Sequence, residues 1–334
     1  MEHKSPIVFS NRQGHRLFGI LHKPAHATSD LAIVLLSPGV KMRVGPECLY
    51  LRMTELFVRL GIPVLRFDFY GLGDSEGELK ETHLKDVYNH IEVGRFVDDT
   101  FDAMDWMQKH HGISRFILSG LCGGAITGLL AASRDPRVAG LLGLGITPLL
   151  ASRAADPSLY MSSGQLQHLR RGYLRNMLKL SSWLRLLTFK SDYRVLWRSV
   201  STPLKKHLRR KPEAPTAPVP YDDANPIFPP AFFKVLESRR PMLLIFGGSD
   251  RLRWDFEEKF LARHRERLAA LPQTYHVHVI ENANHVLSFE EWQREMLEVS
   301  RGWLTQHFGG DCTIAPRSEN ARPFAAAQPT TSPA

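Results

Sequence analysis

Leu31-Ala32-Ile33-Val34-Leu35-Leu36 is six apolar residues with no polar interruption. Such a run is short for a helix, and it hides its side chains only if both faces are covered, as in a strand of a parallel sheet. Runs of the same kind recur at Pro63–Phe67, Arg115–Ser119, Val138–Ile146, Met242–Phe246 and His276–Ile280. Between them lie stretches of helical spacing: Glu47–Leu60 closed by Gly61, His90–His110, Gly123–Ser133, Trp254–Ala270 and Phe289–His307. Pro6–Ser10 and His15–His22 flank the turn signal Asn11-Arg12-Gln13-Gly14, which predicts a β-hairpin ahead of the alternation. Strand–helix alternation of this kind predicts an α/β protein with a mostly parallel central sheet, right-handed crossovers and helices on both faces.

The alternation stops after Val138–Ile146 and resumes at Met242, so the intervening stretch is read as an insertion. The expected organisation is a core of residues 1–148 and 240–308, an inserted basic helical cap at 149–239, and a disordered Ala-, Pro-, Ser- and Thr-rich tail at 309–334. The charge is concentrated in the insertion. The whole chain nets +9, yet Ala151–Thr216 holds fourteen Lys or Arg against three Asp or Glu, leaving the remainder at −2. A patch of that sign suits an anionic substrate or partner, or contact with a membrane surface, and a solvated helical face is the plainer reading. Nucleic acid is not expected, because Lys205-Lys206 and Arg209-Arg210-Lys211 stand without a binding module.

The longest apolar stretch, Val138–Ala151, is broken by Gly, Thr and Pro and falls short of the roughly 20 residues that cross a bilayer. Met1-Glu2-His3-Lys4-Ser5-Pro6 contains no apolar segment of the kind a secretory signal needs. Three cysteines (Cys48, Cys122 and Cys312) do not make a disulfide framework. These features predict a cytoplasmic protein whose cysteines matter, if at all, for chemistry.

The strongest local signal is Gly120-Leu121-Cys122-Gly123-Gly124, between an apolar run and a small-residue helical stretch. A strand–turn–helix of this form is a nucleophile elbow. Its turn holds the nucleophile in a strained backbone conformation, and side chains two residues before and after would strike the neighbouring strand and helix. Cys122 would then stand at a helix N-terminus, which favours the thiolate.

These residues resemble the α/β-hydrolase superfamily, with cysteine where most members carry serine, as in dienelactone hydrolases. Val64-Leu65-Arg66-Phe67-Asp68-Phe69-Tyr70-Gly71-Leu72-Gly73-Asp74-Ser75-Glu76-Gly77 is similar to the serine-aminopeptidase-like hydrolases. Together with Arg43-Val44-Gly45 and the Gly-Leu-Cys elbow, it resembles the exosortase A system-associated hydrolases. The resemblance covers about residues 15–148 and 240–307, implies the α/β-hydrolase fold, and puts 149–230 where these enzymes carry a cap.

It also implies the order nucleophile, acid, histidine. Asp250 ends Met242-Leu243-Leu244-Ile245-Phe246-Gly247-Gly248-Ser249-Asp250, a buried run followed by a glycine turn; Asp255 and Glu257 are nearby but helically spaced. His285 follows the last apolar run in Asn282-Ala283-Asn284-His285, whereas His276 and His278 fall within that run. The oxyanion donors expected are the backbone N–H groups of Gly123 and Val40. The loop bearing Val40, Ser37-Pro38-Gly39-Val40, departs from the family in lacking its His-Gly pair.

Gly73-Asp74-Ser75-Glu76-Gly77 also satisfies the G-x-S-x-G pattern, but Ser75 has no strand before it and a charged stretch after it, so it reads as a structural turn. No dinucleotide fingerprint, P-loop or zinc spacing is present, and neither cofactor nor metal is expected.

Two classes of function fit these residues. One is hydrolysis of an ester or thioester, or acyl transfer, through an acyl-cysteine intermediate on a small-molecule acyl substrate. The basic insertion would suit an anionic acyl donor such as a CoA or acyl-carrier-protein thioester. The other is a catalytically silent α/β-hydrolase fold whose basic insertion binds a partner.

Overall fold

The computed structural model describes residues 3–25, 29–150, 224–272 and 274–312. Eight strands form one sheet: β1 (His3–Ser10), β2 (Arg16–Lys23), β3 (Leu31–Leu36), β4 (Val64–Phe67), β5 (Arg115–Leu121), β6 (Val138–Leu144), β7 (Met242–Gly247) and β8 (Tyr275–Ile280). Their spatial order is β1-β2-β4-β3-β5-β6-β7-β8. β2 runs antiparallel to both β1 and β4. From β4 to β8 all neighbours are parallel. The expected α/β class and mostly parallel sheet are therefore present.

The period-two pattern explains how the sheet is covered. In β3, Ala32, Val34 and Leu36 face one core, and Leu31, Ile33 and Leu35 face the other. The second core is closed by α1 (Leu49–Arg59) and by a long C-terminal helix, Glu290–Phe308, through Met53, Phe57, Met296 and Trp303. The first is closed by α2 (Leu84–Glu92), α3 (Val97–His111), α4 (Gly123–Ala132) and α5 (Phe228–Glu237). All ten residues of α4 are buried, which is why it is built almost wholly of Gly, Ala, Ile and Leu.

Three local readings change. The helix expected at His90–His110 is two helices, α2 and α3, because Gly94 sits at φ 106°, which no right-handed helix can continue. The helix expected at Trp254–Ala270 divides into α6 (Arg251–Phe256), a wide turn at Glu257–Leu261, and α7 (Arg265–Ala269), so the C-terminal helix is α8. Residues 228–237, assigned to the insertion from sequence, form α5. Its Phe228, Phe232 and Phe233 are buried against Phe256 and Phe260, and it packs on α4 as the crossover helix before β7. Pro229 and Pro230 lie in its first turn, where a missing N–H costs nothing.

Leu149 and Ala224 form an antiparallel bridge, and Asn225 N–H donates to the Pro148 carbonyl at 2.9 Å, so the described residues on either side of 151–223 are adjacent. The expected cap and its basic cluster, and the expected tail beyond Cys312, lie outside the described residues. Among the described residues no helix is long and apolar enough to cross a membrane.

Candidate active site

Cys122 lies between β5 and α4 with φ 54° and ψ −113°, a backbone conformation seldom tolerated by a residue with a side chain. Its N–H donates to the Leu144 carbonyl at 2.8 Å, which fixes the turn to the end of β6. The glycines on either side are required by contact. A Cβ on Gly120 would lie 2.6 Å from the Gly124 carbonyl carbon, and one on Gly124 would overlap the Leu36 carbonyl. The predicted elbow is therefore present, with Cys122 half-buried.

Asp250 and His285 come to the same end of the sheet. The turn after β7 is stitched to the loop after β8 by Gly248 N–H donating to Ile280 O at 2.7 Å and Ser249 N–H to Ala283 O at 2.9 Å. A Cβ on Gly247 would meet Ala283 O at 2.5 Å, so the close approach depends on that glycine. Asp250 caps α6, its Oδ1 accepting from Leu252 N–H at 3.0 Å, which leaves Oδ2 for His285 Nδ1 at 2.7 Å. The Asp250 side chain is 4% exposed and that of His285 32%, so the pair is dry on the acid side and open on the other.

Cys122 is close enough to His285 to act on its titration. Burial pushes its imidazole down, but the bond to Asp250, the nearby Cys122 and the charges of both outweigh this and raise it to about 10. The site thus favours an imidazolium beside Cys122.

The alternative acids are engaged elsewhere: Asp255 pairs with buried Lys259 at 3.1 Å, and Glu257 with Arg253 at 2.8 Å. His278 is bonded to Glu295 at 2.8 Å. Ser75 is a clip, its hydroxyl donating to Asp68 O at 2.6 Å and accepting from Phe18 N–H at 2.9 Å. It ties the glycine loop to β2, as its sequence context suggested.

Gly123 opens α4, so its N–H is one of the first-turn donors that a helix leaves unpaired. Val40 is the third residue of a turn closed by Lys41 N–H on Pro38 O at 3.0 Å. The two segments touch: a Cβ on Gly123 would lie 2.8 Å from Gly39 Cα. The loop bearing Val40 is held from outside by Asp68, which is fully buried, accepts from Arg43 N–H at 2.6 Å and pairs with the Arg43 guanidinium.

Three residues that sequence reasoning missed also shape the site. Tyr50 of α1 is fully buried; its hydroxyl donates to Leu36 O at 2.7 Å and accepts from Leu121 N–H at 2.8 Å. Gly145, at φ 53° just beyond β6, leaves the room that His285 and Asp250 occupy, since a Cβ there would lie 2.9 Å from His285 Cε1 and 3.2 Å from Asp250 Oδ2. Tyr88 packs on Gly39. Only Gly145 had a sequence signal, a glycine where an apolar run ends. Among the described residues no group of His, Cys, Asp and Glu is arranged to hold a metal ion.

Solved structures share this architecture. An esterase of Pyrococcus furiosus superposes with a TM-score of 0.55 at 14% identity over 91% of both chains. The dienelactone hydrolase of Anabaena variabilis gives 0.53 at 15% identity, over 91% of this chain and 98% of that one. A hypothetical protein of Pseudomonas aeruginosa gives 0.54 at 18%, over 92% and 94%. Likeness at these identities is a likeness of fold, and no curated protein sequence matches the chain. The family model described as alpha/beta hydrolase family matches residues 34–299, a span that contains the elbow, the Asp250 turn and the His285 loop, and the chain belongs to that family.

Proposed function

We propose that this protein hydrolyses ester or thioester bonds through an acyl-cysteine intermediate, with Cys122 as nucleophile, His285 as base and acid, and Asp250 as the group that orients His285. The observation that carries this reading is the meeting of the three residues at one end of the sheet, with Cys122 at φ 54°, His285 Nδ1 bonded to Asp250 at 2.7 Å and Cys122 near enough to act on the imidazole. In the acylation step the Cys122 thiolate forms a bond to the substrate carbonyl carbon, and the carbonyl π pair moves onto oxygen, toward the N–H groups of Gly123 and Val40. Collapse expels the alcohol or thiol, which takes its proton from the His285 imidazolium. Neutral His285 then accepts a proton from water as the hydroxide adds to the acyl carbon. Breaking the C–S bond releases the acid and restores the thiolate. Asp250 holds the imidazole through Nδ1 and stabilises its charged form.

The charge carried by 151–216 supports an anionic acyl donor, of the kind a CoA or acyl-carrier-protein thioester presents. A thioester also suits a cysteine, because thiol exchange is nearly balanced. The test is turnover of p-nitrophenyl butyrate and butyryl-CoA by Cys122→Ala. The small side chain fits the elbow, so the fold is kept, and activity is expected to fall at least about 10³-fold. Unchanged turnover with a native melting curve would overturn the assignment and give the catalysis to another group.

A further inference from the structure

Tyr88 lies on α2 with its ring against Gly39. A Cβ on Gly39 would come within 2.7 Å of Tyr88 Cε1 and 3.0 Å of its hydroxyl oxygen. Gly39 in turn touches Gly123, whose own Cβ would meet Ile91 of the same helix at 3.0 Å. The polar edge of the phenol, Gly39 and Gly123 therefore form one layer, beside the N–H groups of Gly123 and Val40. Tyr88 is only half-buried, and its hydroxyl forms no hydrogen bond with any described residue. A hydroxyl with no partner among the described residues, at such a place, can donate to an acceptor that arrives with the substrate. The loop it covers lacks any side-chain donor of its own, reading Ser37-Pro38-Gly39-Val40, with the Ser37 hydroxyl committed to Phe67 O at 2.9 Å.

We infer that the Tyr88 hydroxyl is a catalytic side-chain donor to the oxyanion, acting with the two backbone N–H groups. The inference rests on Cys122 being the nucleophile. As the C–S bond forms and the carbonyl π pair moves onto oxygen, the phenol donates a hydrogen bond to that oxygen and keeps its proton. On collapse the pair returns to the C–O bond and the phenol is unchanged. Burial, and then the negative charges of Cys122 and Glu92, push the phenol upward from its ordinary value, so it stays a neutral donor wherever the thiolate is present.

Tyr88→Phe keeps the ring on Gly39 and removes only the donor. With p-nitrophenyl butyrate the expected result is a kcat lower by about a hundredfold, with KM changed less than about threefold. Butyraldehyde adds to Cys122 as a hemithioacetal: the thiolate bonds the carbonyl carbon, and the oxygen takes the proton of His285. That adduct has no leaving group, and its oxygen occupies the oxyanion position. Its affinity, read as protection of Cys122 from iodoacetamide, is expected to weaken in Tyr88→Phe by a factor like that in kcat, while alkylation without aldehyde keeps its rate. Tyr88→His, which restores a ring donor, is expected to recover part of both losses.

A fall in kcat with unchanged butyraldehyde affinity would place Tyr88 at the leaving group and overturn the inference. Unchanged kcat and affinity would overturn it outright. An alkylation rate or melting temperature that falls in step with kcat would make Tyr88 structural and also overturn it. Each of these leaves the cysteine mechanism standing. Active Cys122→Ala, or wild-type protein whose Cys122 butyraldehyde does not protect, would instead remove that mechanism and this inference together.

Discussion

Replacing Tyr50 by Phe should loosen the elbow from beneath. The Tyr50 hydroxyl joins the last residue of β3, Leu36, to the residue before Cys122, Leu121, at 2.7 and 2.8 Å in a fully buried position. Burial pushes the phenol far above its ordinary value, so it remains protonated and the donor to Leu36 O is never lost to ionisation. Phe fills the same space but leaves Leu121 N–H buried without an acceptor, which costs about 2 kcal/mol, and removes one further hydrogen bond worth about 1 kcal/mol. A loss of about 3 kcal/mol corresponds to a melting temperature lower by roughly 4 °C in a chain of this size. Activity should suffer as well, because both segments that carry the proposed oxyanion donors begin one or two residues beyond the bonds that are lost. A displacement of a few tenths of an ångström at Cys122 is expected to lower kcat about tenfold, given that a ~1 Å misplacement can cost about 10²-fold. Differential scanning calorimetry and p-nitrophenyl butyrate kinetics on the same preparation measure both. A melting temperature within about 1 °C of wild type would show that the two bonds do not anchor the elbow, and full kcat despite a lowered melting temperature would refute the positional argument alone.

Ser75→Ala should separate the two serine- or cysteine-bearing glycine motifs: it breaks the clip between β2 and the glycine loop, costing about 1–3 kcal/mol in urea denaturation, and leaves kcat within about twofold. Loss of turnover from a stable Ser75→Ala protein would reopen Ser75 as the nucleophile. Asp250→Asn should change stability in a pH-dependent way. His285 stands at about 10 in the fold against an ordinary 6.5. The stabilisation of its charged form is therefore fully present below pH 6.5 and lost as pH rises toward 10. Wild type should exceed Asp250→Asn in unfolding free energy by more at pH 6 than at pH 10. A gap that stays constant between those values would show that Asp250 does not hold the imidazolium.

Much of this molecule can be read from local chemistry. Leu31–Leu36 can satisfy its backbone and hide its side chains only as an inner strand, and five further runs of that kind leave few sheets to choose from. The elbow is legible for a similar reason: Gly120 and Gly124 flank Cys122 because backbone atoms occupy the space of their side chains. Asp250 and His285 are visible because each follows a buried run in a loop that must emerge at the same sheet edge. Where local signals compete, legibility fails. The apolar spacing of α2 runs on into α3, so the break at Gly94 is hidden, and the prolines of α5 resemble the Pro-rich stretch before it.

Tyr50 and Tyr88 carry no pattern of their own. A tyrosine on an amphipathic helix reads as core, and nothing nearby in the chain marks the groups it will touch. Tyr50 meets Leu121 across 71 residues of sequence, and Gly145 meets Asp250 and His285 only because β6, β7 and β8 are successive neighbours in the sheet. The apolar runs and turn residues by themselves determine the strands and the elbow, since they act over a few bonds. Which hydroxyl bridges Leu36 and Leu121, which glycine leaves room for the histidine and which phenol packs on Gly39 are decided by strand order and helix packing, because only those bring distant residues into contact.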